Sequence, residues 1–471
     1  MNKITIKNFN LGGVADSIFS GVPNSLARLI GWDLHSVAGL LQVAQKMTKI
    51  SGSTITEFCK VRVNCSNGNK YWMSSSSGKI WKQDSNDSFT LLTTIAPTSG
   101  SAAILEAYEY GGYIYVATVN YLHRIAVSNE AVTANWQELV NHGAFHPMRE
   151  VNLVLYIGDG NDVHQINSAH TYTAEALDLP TGYIITSLGR ASTYLLIGAY
   201  LGAGISRSTI FRWNTWSVSY TNSDDVPEEG IWTFLEIDNY VLVYAGYAGN
   251  IYYYNMEGLE HYKRIAGTYS PTKKAIIHPH ATGVLNGSIP LFGVSNVTGN
   301  PCDQGVWALG RHSRNYPAVL DLPFPISEVD GDGYNRVSGV EIGGIIVSGT
   351  NVYISWAYNS TYGVDKLDYS NKIAKPILET RIMLPDNAGL TTFSKVFVGY
   401  KEIPASTSIV VKTKGNYATD WSNTTEVVDS DRMGVVVDQD LQDARSLQLR
   451  VEAVSSVNTA PSIDEIAVFV E

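Results

Sequence analysis

The sequence predicts an all-β protein: a seven-bladed β-propeller with an N-terminal arm and a C-terminal β-sandwich. Three observations predict it. The composition is rich in glycine and tyrosine and poor in charge, an aromatic hairpin pattern recurs seven times, and longer alternating strands take over near the C-terminus. The 471 residues include 41 Gly and 28 Tyr, with 44% hydrophobic and 16% charged residues. Short strands joined by tight turns use such a mixture, whereas long solvated helices need more charge. A chain of this length can bury a large core and divide into more than one domain.

The first element, residues 1–52, matches no hairpin copy. Residues 1–12 alternate apolar and polar side chains around Lys3 and Lys7, so they read as a strand or arm and lack the continuous apolar core of a signal peptide. Residues 9–52 are rich in glycine and small polar residues, with strand or helix potential only at 25–30 and 37–47. The segment is expected to be an arm that docks on a neighbouring subunit, or a domain cap.

The second element, residues 53–374, carries the repeat. An apolar, aromatic strand passes through a short polar turn into a second strand that opens on an aliphatic residue. The copies are Tyr71–Met73 with Ile80–Trp81, Tyr113–Ala117 with Leu122–Ile125, Leu153–Gly158 with Val163–Ile166, and Tyr194–Gly198 with Ile210–Trp213. Val241–Ala245 with Ile251–Tyr254, Pro290–Gly293 with Val306–Leu309, and Val352–Trp356 with Val364–Leu367 complete the set. Each reads as a hairpin, and in the fifth copy, Val241–Ala245 with Ile251–Tyr254, every strand residue is apolar or aromatic, as expected for a sheet covered on both faces. The return strands open at residues 80, 122, 163, 210, 251, 306 and 364, so the spacings are 42, 41, 47, 41, 55 and 58 residues, near or somewhat above the roughly 40 to 50 of propeller blades. One four-stranded sheet cannot bury both faces, but radially packed blades cover each other. Ala117, Gly158, Gly198, Ala245 and Gly293 supply small residues for the crowded centre of such a ring. No hairpin copy carries the WD dipeptide of WD40 repeats or a Kelch signature, and two sandwiches would also use hairpins at this spacing.

The third element, residues 375–471, changes to longer segments such as 379–384, 393–400, 408–413, 447–454 and 463–470. Strict alternation marks strands with one buried and one wet face, hence a small antiparallel sandwich.

The totals also exclude classes. A net charge of −11 and a pI near 5.4 do not suit sequence-specific nucleic-acid binding, which needs clustered Lys and Arg. No run of eighteen apolar residues is present to insert into a membrane. Cys59, Cys65 and Cys302 are odd in number and lack zinc-site spacing, so buried free thiols are expected, with no structural metal.

Motifs that could carry chemistry are few. Gly78-Lys79 is followed by Ile80 instead of Ser or Thr, so a hairpin turn is expected there in place of a phosphate loop. Asp159-Gly160-Asn161-Asp162 and Asp330-Gly331-Asp332-Gly333 offer oxygen ligands but miss the calcium-loop spacing, and tight turns are expected. His278 and His280 stand two residues apart, as a metal site could use, and are expected to be a surface or interface pair. Asp224, Asp225, Glu228 and Glu229 surround Pro227; glycosidases need paired carboxylates, but a solvated loop is the expectation. No nucleophile elbow or zincin motif occurs, so the expectation is no enzyme, with no catalytic, cofactor-binding or metal residue and no cofactor.

The stretches 12–17, 31–41, Leu122–Ile125, Phe145–Met148 and Tyr156–Asn161 resemble those of tailed-bacteriophage virion proteins in which a glycine-rich arm leads into a propeller. Residues 441–451 and 461–466 are similar to terminal sandwiches of phage tail proteins. The resemblance covers most of the chain. It implies a structural component of the tail or head-to-tail region, acting through interfaces with other virion proteins and copies of itself. It implies a place in the virion, and in the host cytoplasm during assembly. The alternative is a tail propeller that binds or cleaves host surface glycans.

Overall fold

The computed structural model describes residues 2–17, 19–202, 207–237, 240–247, 249–265, 277–295, 303–329, 339–384, 391–418, 420–428 and 434–470. The segment 330–333 and Cys302 lie outside the described residues. Among those described, regular structure is β-strand with two short 3-10 turns. The chain divides into two compact units, each assembled from separated segments.

One unit comprises 49–300 and 339–365. Five antiparallel four-stranded sheets follow one another in it, each built from consecutive strands. The first is Cys59–Asn64, Lys70–Ser74, Lys79–Gln83 and Phe89–Thr94. The next four open on Glu106–Tyr110, Met148–Val151, Ile184–Ala191 and Ile231–Ile237. The expected hairpins are the second and third strands of these sheets, with registers such as Trp72↔Trp81, Val116↔His123 and Tyr244↔Ile251. Further along, Thr282–Leu285 pairs with Ile289–Val294, and Glu341–Ser348 pairs with Asn351–Tyr358. The opening strand of each sheet neighbours that of the next, and Glu341–Ser348 neighbours Cys59–Asn64, so the row of opening strands closes on itself.

Packing between successive sheets follows from the small residues that end the second strands. A Cβ on Gly158 would stand 2.7 Å from Cγ2 of Ile185, and one on Gly198 would stand 2.8 Å from Cγ2 of Ile231. Each of those isoleucines belongs to the opening strand of the following sheet. Only a residue without a side chain leaves the isoleucine room to bury there. Closure of the row is marked by a shared core in which Cys59, Trp72 and Trp81 pack with Ile346, Tyr353 and Val364.

The other unit comprises 1–48, 301–338 and 366–471. In one sheet Ser462–Val470 pairs with Asn2–Lys7, with Leu41–Val43 and with Thr391–Tyr400, which pairs in turn with Gly434–Ala444. In another, Leu26–Ile30 lies between Val319–Phe324 and Ile377–Thr380, followed by Leu447–Val454, Ser408–Gly415 and Ser422–Val428. Gly305–Gly310, expected as a return strand of the sixth hairpin, belongs to this unit and pairs with Val319–Phe324. Residues 1–52, expected as an arm or cap, thus contribute strands that pair with residues more than 300 positions away. The alternation seen beyond residue 374 is explained by burial: Leu449, Val451 and Ala453 are buried while Arg450, Glu452 and Val454 are partly exposed. A chain of charges runs through the same sheet. Buried Arg28 makes a two-pronged contact with Asp303 and reaches Glu379, which also receives Arg450; Arg450 and Lys412 both meet Glu452.

Candidate functional site

Two groups of titratable residues in the first unit have the density of a site, and their surroundings separate them. The first is buried. His123 and His164 occupy the same place in two sheets, the residue after the aliphatic that opens the third strand, where other sheets carry Trp81, Phe211 and Tyr252. At both histidines the pairing with the fourth strand shifts by a bulge, and the imidazole repairs it. Nδ1 of His123 accepts the N–H of Asn135 at 2.9 Å, and Nδ1 of His164 accepts that of Glu175 at 3.0 Å. Asn135 and Glu175 both hold positive φ, 49° and 53°. With Nδ1 accepting, Nε2 carries the proton and donates to Thr118 Oγ1 at 3.1 Å or to Asp159 Oδ2 at 3.3 Å.

Asp159 is fully buried and also accepts the N–H groups of Asn141 and Gly143 at 2.7 and 2.8 Å. Burial alone would raise its pKa, but the bonds from His164 and the two backbone groups outweigh it and hold the pKa at about 2. The Asp159–Asp162 motif is therefore a turn whose first carboxylate anchors residues 141–143. His146, beside it, places its ring nitrogens 3.2 Å from the Gly158 carbonyl and 3.0 Å from that of Val119, and burial pushes its pKa down.

The second group lines a cavity of about 320 Å³ among the opening strands. Arg62 reaches it from Cys59–Asn64, Glu106 and Tyr108 from Glu106–Tyr110, Arg149 from Met148–Val151, Glu236 from Ile231–Ile237, and His280 from just before Thr282–Leu285. The guanidinium of Arg62 is oriented by backbone: Nε donates to the carbonyl of Ile345 at 2.7 Å and Nη2 to that of Thr282 at 3.3 Å. Gly344 makes this possible, since a Cβ there would stand 2.5 Å from Cγ of Arg62. Burial pushes the pKa of Arg62 down, Glu106 opposes that, and Arg149 adds to it. Arg149 Nη2 lies 2.5 Å from Glu236 Oε2, a carboxylate it shares with Arg190 at 3.5 Å.

The histidine pair foreseen in the sequence is divided between two carboxylates. His280 Nε2 lies 2.5 Å from Glu106 Oε1, without the alignment of a hydrogen bond. His278 Nε2 stands 3.6 Å from Glu341, which Lys60 approaches to 3.9 Å, and burial pushes the pKa of His278 down. An adjoining cavity of about 240 Å³ runs between His278, His146 and Lys60. Among the described residues no three His, Cys, Asp or Glu side chains converge as metal ligands.

The remaining expected residues are held in structural contacts. Glu228 accepts from Asn250 Nδ2 at 2.6 Å and from the Tyr252 hydroxyl at 3.1 Å, Asp224 accepts from the Tyr254 hydroxyl at 3.0 Å, and Asp225 pairs with Arg207. Gly78 turns with φ 68°, and Lys79 meets Glu57 at 2.6 Å. Cys59 and Cys65 are buried free thiols, and burial raises the pKa of both. Arg62, Glu106, Arg149 and Glu236 were not singled out in the sequence. All four are charged residues inside short strands that precede hairpins.

No protein-family model matches the chain, and no curated protein matches it by sequence. Solved structures do match. Virginiamycin B lyase from Staphylococcus aureus, in a catalytically inactive form with quinupristin, aligns at 13% identity and TM-score 0.50 over 68% of this chain and 98% of that one. A streptogramin B lyase aligns at 10% identity and TM-score 0.50 over 69% of this chain and 98% of that one. The extracellular domain of a hybrid two-component system from B. thetaiotaomicron aligns at 13% identity and TM-score 0.50, covering 83% of this chain and 47% of that one. At such identities the likeness concerns fold and not activity. The chain is an all-β protein of many small four-stranded sheets, with a β-propeller fold.

Proposed function

We propose that the chain is a structural, non-enzymatic component of a larger particle: a seven-bladed propeller joined to a β-sandwich, with a place in a tailed-phage virion like the proteins its sequence resembles. The closed row of opening strands supports the blade count, and the two sheets of the other unit support the sandwich. One observation carries the interface reading. Leu153, Trp216 and Val218 are 75%, 84% and 99% exposed, and all sit on turns at the end of blades.

Those turns are held in place. Asn152 Nδ2 donates to the Thr193 carbonyl at 3.0 Å and to Thr215 Oγ1 at 3.2 Å, tying turn 152–153 to loop 214–219. Within the loop, Asn214 Oδ1 accepts the N–H groups of Trp216 and Ser217 at 3.2 and 2.9 Å, and the indole of Trp213 donates to the Ser217 carbonyl at 2.8 Å. An exposed tryptophan on a fixed loop loses little freedom when a partner covers it. The partners in this reading are other virion proteins and further copies of the chain. The carboxylates near Pro227 favour the structural reading over glycan cleavage, because Glu228 and Asp224 already accept bonds from their own unit.

The test is a Trp216→Ser, Val218→Ser double variant, followed by cosedimentation with assembled particles. Both side chains are solvated in the isolated chain, so folding is expected to be unchanged and incorporation to fall at least about tenfold. Normal incorporation would refute the role of this surface, and absence of the chain from purified particles would refute the virion reading.

A further inference from the structure

The charges of the larger cavity do not cancel in space. Glu236 is taken up by Arg149 and Arg190, and Glu106 lies against His280. Arg62 has no carboxylate within 4 Å among the described residues, although it is buried deeply enough for its pKa to fall. A guanidinium in that position costs desolvation that its two carbonyl partners offset only in part. Its Nε and Nη2 are engaged with backbone, and Nη1 has no protein acceptor among the described residues, so one edge of the fork remains available. Arg149 lines the same cavity with a second guanidinium, whose buried Nε has no hydrogen-bond partner among the described residues. Tyr108, whose hydroxyl is a further donor, also lines the space. At about 320 Å³ the cavity lies at the lower end of small-molecule sites.

We infer that this cavity is a binding site for a small oxyanion, a phosphate or carboxylate group borne by a small molecule, held between Arg62 and Arg149. An oxyanion supplies what the cavity lacks. It accepts from a planar fork in two directions, neutralises the charge that burial disfavours, and can take the tyrosine hydroxyl as a third donor. Chloride, a single acceptor without a second oxygen to match the two parallel N–H groups, would be held less well. The site is independent of the surface formed by Trp216 and Val218, so its existence and the assembly role stand or fall separately.

The experiment is calorimetric titration of the full chain with inorganic phosphate and, separately, with malonate, at pH 7 and low ionic strength. Saturable one-to-one binding of at least one of them is expected, and the tighter of the two identifies the class of head group. Arg149→Gln is expected to weaken binding by about tenfold or more. Glu106→Gln removes a negative charge from the wall and is expected to tighten it severalfold. Arg62→Lys keeps the charge but loses the fork, and should weaken binding by about tenfold. Should Arg62→Lys fail to fold by circular dichroism, the opposite responses of Arg149→Gln and Glu106→Gln still decide. Absence of saturable binding in both the wild type and Glu106→Gln, or affinity indifferent to all of these substitutions, overturns the inference.

Discussion

His123 illustrates how a residue that looks chemical becomes architectural. Its imidazole fills the irregularity of a bulge, and burial lowers its pKa to about 4. An unfolded histidine titrates near 6.5. Because the folded value is the lower one, the neutral ring contributes stability that is fully present above pH 6.5 and is lost as the pH falls through 4. Urea denaturation of the wild type and of a His123→Gln variant should therefore show a stability difference that shrinks by up to about 3 kcal/mol between pH 7 and pH 4; a difference that stays constant would place the titration elsewhere. His278 and His280 were visible in the sequence as a pair. What could not be seen was that each faces a carboxylate from a different strand, Glu341 and Glu106, which lie 63 residues after the first and 174 before the second. Arg62 was equally hidden, since its acceptors are backbone carbonyls more than 200 positions away.

Hairpins such as Tyr240–Ala245 with Asn250–Tyr254 were legible because both faces of the second and third strands are covered, so apolar and aromatic residues run without interruption. The opening strands leave a weaker trace. Met148–Val151 reads Met-Arg-Glu-Val because it borders a polar cavity, and Val132–Glu138, a fourth strand, is largely solvated. Neither apolar runs nor clean alternation mark such strands. Three of the small residues near the ends of the second strands, Gly158, Gly198 and Gly293, have a packing reason: an isoleucine of the next opening strand or its equivalent, Ile185, Ile231 or Ile342, occupies the space of the absent side chain. Gly198→Val should accordingly push Ile231 out of place and cost about 1–3 kcal/mol, measured as a lower urea midpoint, with the far-ultraviolet spectrum unchanged. An unaltered midpoint would mean that the inter-sheet contact is looser than the distances imply.

At the scale of the whole molecule, local patterns carry little information about long-range pairing. The short strand Leu26–Ile30 lies in a segment of glycine and small polar residues and Asn2–Lys7 just before it, and their partners, Ile377–Thr380 and Ser462–Val470, are more than 300 positions away. Deletion of residues 1–48 would remove the internal strand Leu26–Ile30 from one sheet, and Asn2–Lys7, Trp32–Asp33 and Leu41–Val43 from another in the same unit. The expected result is loss of that unit's protection in hydrogen exchange, with protection retained from Cys59–Asn64 through Leu259–Arg264; uniform protection throughout would show that 1–48 is dispensable for the pairing. This connectivity also governs the order of events on the ribosome. At roughly 5–20 residues per second, the strand Asn2–Lys7 emerges some tens of seconds before its partner Ser462–Val470 has been made. During that interval it is an unpaired edge in a nascent chain, and Lys3 and Lys7, flanking its apolar positions, are the type of residue that keeps such an edge from recruiting a stranger.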